Sequence, residues 1–249
     1  MQRKITMDTI ELSVIKFITE QQSISKKQVP ASRLKESASV PVITVCTEPG
    51  SGGRLIADEV AKRLNFTLFD KNILVSMANT AAVESRSLDT IEQERPSGVQ
   101  DFIASLLDKD YVYTGDYVAY LKQQVEIIGK LGRSVIVGRG ANFILPPKGR
   151  FSVRVMAPLD IRIRNVSFRN GVPLVEAKKR IRKREQRRKA FIRETFHEDI
   201  GDVIHYDLII NTARMDLETA VESVIGTLIG SQTSKTFEKE TAYILKEKR

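Results

Sequence analysis

The chain of 249 residues has one cysteine and two histidines. A single cysteine excludes a disulfide framework and points to a cytosolic, cytoplasmic setting. Cys46 sits in an apolar, β-branched run and reads as a small core residue rather than a nucleophile. His197 and His205 have no cysteine nearby and no repeated spacing, which speaks against a zinc site, and no metal ligand is assigned. No Ser-His-Asp or Cys-His arrangement can be assembled. No apolar run approaches the roughly 18 residues a bilayer span requires, so no membrane partner is expected. The N-terminus MQRKITMDTIELSVIKF lacks the apolar core and small-residue cleavage site of a signal peptide. Internal repeats are absent. Charge of one sign is also missing from most of the chain. The formal net charge is +9, yet residues 160–193 alone hold thirteen Lys/Arg against three Asp/Glu, an excess of ten. A general attraction to nucleic acid therefore ranks below one basic element laid over an anion.

The content that remains is that of an ordinary globular protein, 41% hydrophobic and 29% charged. Residues 1–38 read as a helical appendage and linker, with Ile10, Val14, Ile15 and Ile18 at helical spacing before a polar, basic stretch containing Pro30. Residues 39–230 form the core domain and 231–249 a charged tail. Within the core, apolar runs at 42–46, 65–69, 134–137, 151–156 and 206–210 read as strands. Helical patterns fill 52–64, 72–83, 116–131, 160–168, 173–196 and 216–229, while 84–112 resist assignment except for a helical pattern at 99–107. Nearly unbroken apolar strands alternating with helices predict an α/β fold whose mostly parallel, five-stranded sheet is covered on both faces. Ligands of such sheets bind beyond the carboxyl ends of the strands.

Three turns fall at that edge. The first is Glu48-Pro49-Gly50-Ser51-Gly52-Gly53, between a strand and a helix that opens with Arg54 and Leu55. Strand, glycine-rich turn and helix make a phosphate-binding plan, because turn N–H groups and a helix N-terminus attract anions. The common pattern is G-x-x-x-x-G-K-[ST]. With Gly53 as its second glycine, Glu48 stands at the first glycine, Arg54 at the lysine and Leu55 at the Ser/Thr that holds magnesium. Arg54 offers a guanidinium that suits phosphate geometry. Without a ligand the same turn would simply be a tight β–α connection. Asp70 follows the second strand, to contact a substrate or to cap the next helix. Arg139, between Gly138 and Gly140, follows the third and would point into the cleft. The basic segment adds Arg184, Arg187 and Arg188 on one helical face, with Glu185 beside them. Mobile arginines that position and neutralise a moving phosphate would sit in such a helix. A solvated face, or an RNA-binding face with little aromatic character, is the competing reading.

Taken jointly these blocks resemble the cytidylate kinase-like family of P-loop proteins, relatives of the nucleoside monophosphate kinases. The likeness runs from about residue 40 to 229. It rests on ITVCTEPGSGGRLIADEVAKRL, FTLFDKNIL, SVIVGRGANFIL, APLDIRIRN with KKRIRKREQRRKAF, and YDLIINTARMDLETAV. Glu185, Arg188 and Phe191 follow the family's acid, arginine and aromatic spacing. The resemblance implies a three-layer α/β/α P-loop NTPase-type fold with a helical lid at about 160–197. It implies ATP as the donor, bound by Gly50, Ser51, Gly52, Gly53, Arg54 and Leu55. Asp70, Arg139 and Glu185 become acceptor-side residues, and Arg54, Arg184 and Arg188 catalytic ones. Mg2+ is expected with the nucleotide, with no protein ligand assigned. Leu55 and Arg54 depart from the pattern, as do Val137 before the Gly-Arg pair and Gly140 after it.

The leading expectation is a phosphotransferase moving the ATP γ-phosphate to CMP or another small phosphorylated acceptor. A non-catalytic sensor of a nucleotide or phosphate ligand is the alternative, and a nucleic-acid binder ranks third. The sequence leaves homo-oligomer formation open.

Overall fold

The computed structural model describes residues 42–70 and 115–233. The readings for the N-terminal appendage, the 72–83 helix, the 84–112 segment and most of the tail lie outside these residues.

Within them the elements alternate as read. Strand β1 is Val42–Thr47 and helix α1 is Gly53–Leu64. Strand β2 is Thr67–Phe69, α2 is Gly115–Leu131 and β3 is Ser134–Val137. The short α3, Ala141–Ile144, precedes β4, Arg150–Met156. Helices α4, Leu159–Asn170, and α5, Leu174–Phe196, meet at Gly171. Strand β5, Leu208–Asn211, and helix α6, Leu217–Thr233, complete the unit.

The five strands form one sheet in the order β2-β3-β1-β4-β5, every pairing parallel. β1 is central, with Ile43 beside Val135 on one flank and Phe151 on the other. Side chains alternate across it as a pleated strand requires. Ile43 and Val45 pack with Ile56, Val60, Val221 and Val224 of α1 and α6. Val42 packs in the opposite layer with Leu121, Val125 and Ile128 of α2 and Ile192 of α5. This is the three-layer α/β/α arrangement expected from the sequence. Two polar side chains within the sheet, Thr44 and Ser152, satisfy each other across β1 and β4 at 2.9 Å. The three turns share one edge, since β1, β2 and β3 run parallel in register.

Two local readings need correction. The last strand begins at Leu208 rather than at residue 206, because Asp202 caps a 3-10 turn, Val203–His205, by accepting from the Ile204 amide. Asp207 then leads into the strand, its amide donating to the Ser152 carbonyl at 2.8 Å while its carboxylate accepts from the Ser152 amide at 2.7 Å. Cys46 is half-buried rather than a core residue. Its Sγ lies 3.4 Å from the Tyr206 hydroxyl, which donates to the Ile200 carbonyl at 2.7 Å. Burial is the main influence pushing the Tyr206 phenol well above its usual range.

Candidate active site

The first turn leaves β1 after Thr47 and enters α1 at Gly53. Gly50 and Gly52 both take left-handed backbone, φ +88° and +81°, which only glycine adopts cheaply. A Cβ at Gly50 would stand 2.6 Å from the Arg162 carbonyl oxygen, so Gly50 is also required for the close approach of α4. No side chain caps the N-terminus of α1 and no acid lies in its first turn. The Leu55 and Ile56 amides donate to the Gly52 carbonyl, which leaves those of Gly53 and Arg54 for an anion.

Neighbouring elements grip the turn by its carbonyls. Arg162 donates to Pro49 at 3.5 Å, Asn165 to Gly50 at 2.9 Å and Thr212 to Ser51 at 2.8 Å. These ties draw the oxygens toward α4 and the end of β5, and the Ser51 amide donates to the Glu48 carbonyl at 3.1 Å; the left-handed Gly50 and Gly52 give the turn the alternating backbone on which anion nests are built. Ser51 adds a second sign of a ligand. Its side chain is buried, 1% exposed, and its hydroxyl has no hydrogen-bond partner. A buried hydroxyl left unpaired is costly, and a phosphate oxygen would satisfy it.

Glu48 explains why the loop tolerates an acid. Its carboxylate lies 3.3 Å from the Arg162 guanidinium and 3.4 Å from that of Arg154, and accepts from the Ala157 amide at 3.3 Å. Arg162 is almost fully buried and also donates to Glu185 of α5 at 2.6 Å. Arg188 of the same helix donates to the Thr47 carbonyl. A chain of charges, Glu48–Arg162–Glu185, therefore joins the phosphate loop to the basic helix. Glu185 serves here as a partner of Arg162. The sequence reading missed Arg162, although its place in the APLDIRIRN block after a strand was a signal available to it.

Arg54 and Asp70 meet. The Arg54 guanidinium, half-exposed, pairs with the carboxylate of Asp70, which is 5% exposed at the end of β2. The two residues assigned to opposite substrates thus form one ion pair between the turns. Leu55 is 57% exposed on the outer side of α1. Gly53 is buried, and a Cβ there would lie 2.5 Å from Thr47 Cγ2 and 2.9 Å from Val155 Cβ. Thr47 and Gly53 therefore complement each other in volume. If the motif is counted from Gly52, Thr47 falls at the first glycine, Gly53 at the lysine and Arg54 at the hydroxyl position. A lysine has no room at 53. Either register leaves the helix without the usual magnesium hydroxyl.

The third turn is unusual in another way. Gly138, Arg139 and Gly140 all have positive φ, +76°, +59° and +68°. Asn65, Arg133 and His197 share that conformation, but Asn65 and His197 merely close helices. Arg139 closes none, and left-handed backbone costs a residue with a side chain about 1–2 kcal/mol. An outlier held at a strand end is a candidate for substrate contact. Gly140 lies against α5, where a Cβ would stand 2.7 Å from the Phe196 ring. The acid that the resemblance expects after the Gly-Arg pair has no room. Arg184 is exposed on α5, and unlike Glu185 and Arg188 it is not drawn to the loop.

The sequence pattern of the Cytidylate kinase-like family matches residues 42–214, more than two thirds of the chain. A cytidylate kinase of Pyrobaculum islandicum is 25% identical over 199 residues, covering 79% of this chain and 98% of that one. A cytidylate kinase of Methanocaldococcus jannaschii is 26% identical, covering 71% and 91%. An uncharacterized protein of Eubacterium ventriosum, solved by crystallography, shares the fold with TM-score 0.54 and 23% identity, over 76% of this chain and 98% of that one. Parallel five-stranded sheet, glycine-rich loop after the central strand and family pattern agree: the chain is a kinase-type phosphotransferase and belongs to the cytidylate kinase-like family.

Proposed function

We propose that the chain transfers the γ-phosphate of ATP to CMP or another small phosphorylated acceptor. The donor phosphates would rest in the nest of Gly50, Ser51, Gly52 and Gly53, against Arg54 and the start of α1. The acceptor would lie between the second and third turns, near Asp70 and Arg139. The α4–α5 pair acts as a lid, its arginines lowering the charge on the transferring phosphoryl group. An acceptor that is already a phosphate needs no protein general base. The archaeal relatives named cytidylate kinase make CMP the first acceptor to test.

The observation that carries this reading is the direct tie between loop and basic helix, through Arg162 to Glu185 and through Arg188 to Thr47. A basic helix serving only as a solvated face has no reason to be anchored there. Lid closure around that tie would exclude water, so that transfer outcompetes hydrolysis.

The test is a phosphotransfer screen of ATP against nucleoside monophosphates and small phosphorylated compounds. Turnover is expected with at least one monophosphate. Arg54→Ala should weaken ATP binding more than tenfold, and an unchanged affinity by calorimetry would sink the donor-site assignment. Tight ATP binding with no turnover on any acceptor would favour the sensor instead.

A further inference from the structure

The family implies Mg2+ with its nucleotide, and the residues around the loop do not fit a metal held by protein. A magnesium ion requires hard oxygen ligands in octahedral array. At the two positions where the motif could offer a helix hydroxyl stand a guanidinium, Arg54, and an exposed alkyl chain, Leu55. Both acids that touch the loop already face arginine. Glu48 lies within 3.4 Å of Arg154 and Arg162, and Asp70 is paired with Arg54. The Thr47 side chain is packed toward Gly53, and the Thr212 hydroxyl is spent on the Ser51 carbonyl. Among the described residues around the loop only the Ser51 hydroxyl remains, and one hydroxyl is not a ligand set. Among the described residues, no group of three or more His, Cys, Asp and Glu side chains converges.

We infer that Arg54, oriented by Asp70, supplies the positive charge that a protein-held metal would bring to the donor phosphates. The inference rests on the proposed donor site. Arg54 follows directly on the turn, at the N-terminal end of α1, so its side chain leaves the backbone beside the turn. Asp70 is buried and fixed at a strand end, and one guanidinium nitrogen, Nη2, is taken up by its Oδ2. That contact holds the planar group while half of the side chain stays open to an incoming anion. A planar fork held in this way offers parallel N–H donors to phosphate oxygens. Asp70 is in turn neutralised, so a carboxylate can sit beside the phosphate loop without repelling the ligand. Metal carried in by the nucleotide remains free to serve the transfer step, but donor binding does not depend on it.

The test is calorimetric ATP binding to the full chain, in excess EDTA and in saturating Mg2+. The wild type is expected to bind with affinities within about threefold of each other. Arg54→Ala should lose more than tenfold in EDTA. Arg54→Ser, which restores a hydroxyl, should bind at least tenfold better with Mg2+ than without. Asp70→Asn keeps the shape of the site and frees the guanidinium, so it should lower EDTA affinity less than Arg54→Ala does. Thermal melts of each variant verify that the fold survives. ATP binding that requires Mg2+ and is indifferent to Arg54 overturns the inference and leaves the phosphotransferase reading intact. Absence of ATP binding under both conditions overturns the donor site itself, and the inference with it.

Discussion

The turn after β1 and the turn after β3 stand on neighbouring strands of one sheet edge, and both are rich in glycine. They differ in how the backbone is shaped. The first is tied from several sides: Pro49, Gly50 and Ser51 give their carbonyls to three different side chains, and Glu48 faces two guanidinium groups. The third holds three consecutive left-handed residues, one of them an arginine. Backbone bonds anchor both of its ends, the Gly138 amide to the Val45 carbonyl at 3.0 Å and the Phe143 amide to the Gly140 carbonyl at 2.8 Å. The contrast teaches that one sheet edge can shape its turns by two means: side chains of other elements grip the carbonyls of the first, and consecutive left-handed residues turn the third.

The comparison can be broken most severely at Arg162. Arg162→Ala removes one of the two links between the loop and α5 and strips Glu48 and Glu185 of a buried partner. Loss of one partner from a buried ion network costs about 3 kcal/mol or more, so chemical denaturation should show a large drop in midpoint together with weakened ATP binding. A midpoint close to wild type would mean that the network does not brace the loop.

Gly53→Ala comes next. Its new Cβ would press on Thr47 and Val155, and overpacking of that kind costs about 1–3 kcal/mol. Thr47→Gly in the same chain should recover part of the loss. Failure of that rescue would dismiss the volume complementarity of the two positions.

Arg139→Gly sharpens the contrast from the other side. Glycine relieves the left-handed strain, so stability should remain within about 1 kcal/mol of wild type. Acceptor KM should rise more than tenfold, with ATP affinity unchanged. A loss of ATP affinity instead would merge the two turns into one binding unit.

The smallest effect is on pH dependence. Burial raises the phenol pKa of both Tyr206 and Tyr120. A raised folded-state pKa means that the folded chain holds the proton more tightly. Stability from these phenols is thus complete below the unfolded value of about 10 and falls as pH climbs beyond it. Thermal melts should be flat from neutrality to about pH 9 and decline above 10, and Tyr206→Phe should reduce that decline.

Much of this was legible in the chain. Apolar strands alternating with helical patterns gave the layers, and the strand ends singled out Arg54, Asp70 and Arg139, of which the fold brings the first two together. Those signals are local, each written in a few adjacent residues. What escaped was pairing over distance. Nothing in the spacing of Glu48, Arg162 and Glu185 announces that they meet, since they are brought together only when β1, α4 and α5 pack. The meeting of Arg54 with Asp70 is of the same kind, and so is the match of Thr47 to Gly53, which depends on β4 lying behind both.

The sequence alone determined the fold class, the phosphate loop and the family resemblance, because hydrophobic period, glycine placement and charge density are properties of short stretches. Tertiary structure decided which charges are spent on one another. That depends on distances between strands that no linear pattern encodes. It is why Arg54, which reads as a substitute lysine in the chain, stands in the folded protein as a guanidinium braced by a buried carboxylate.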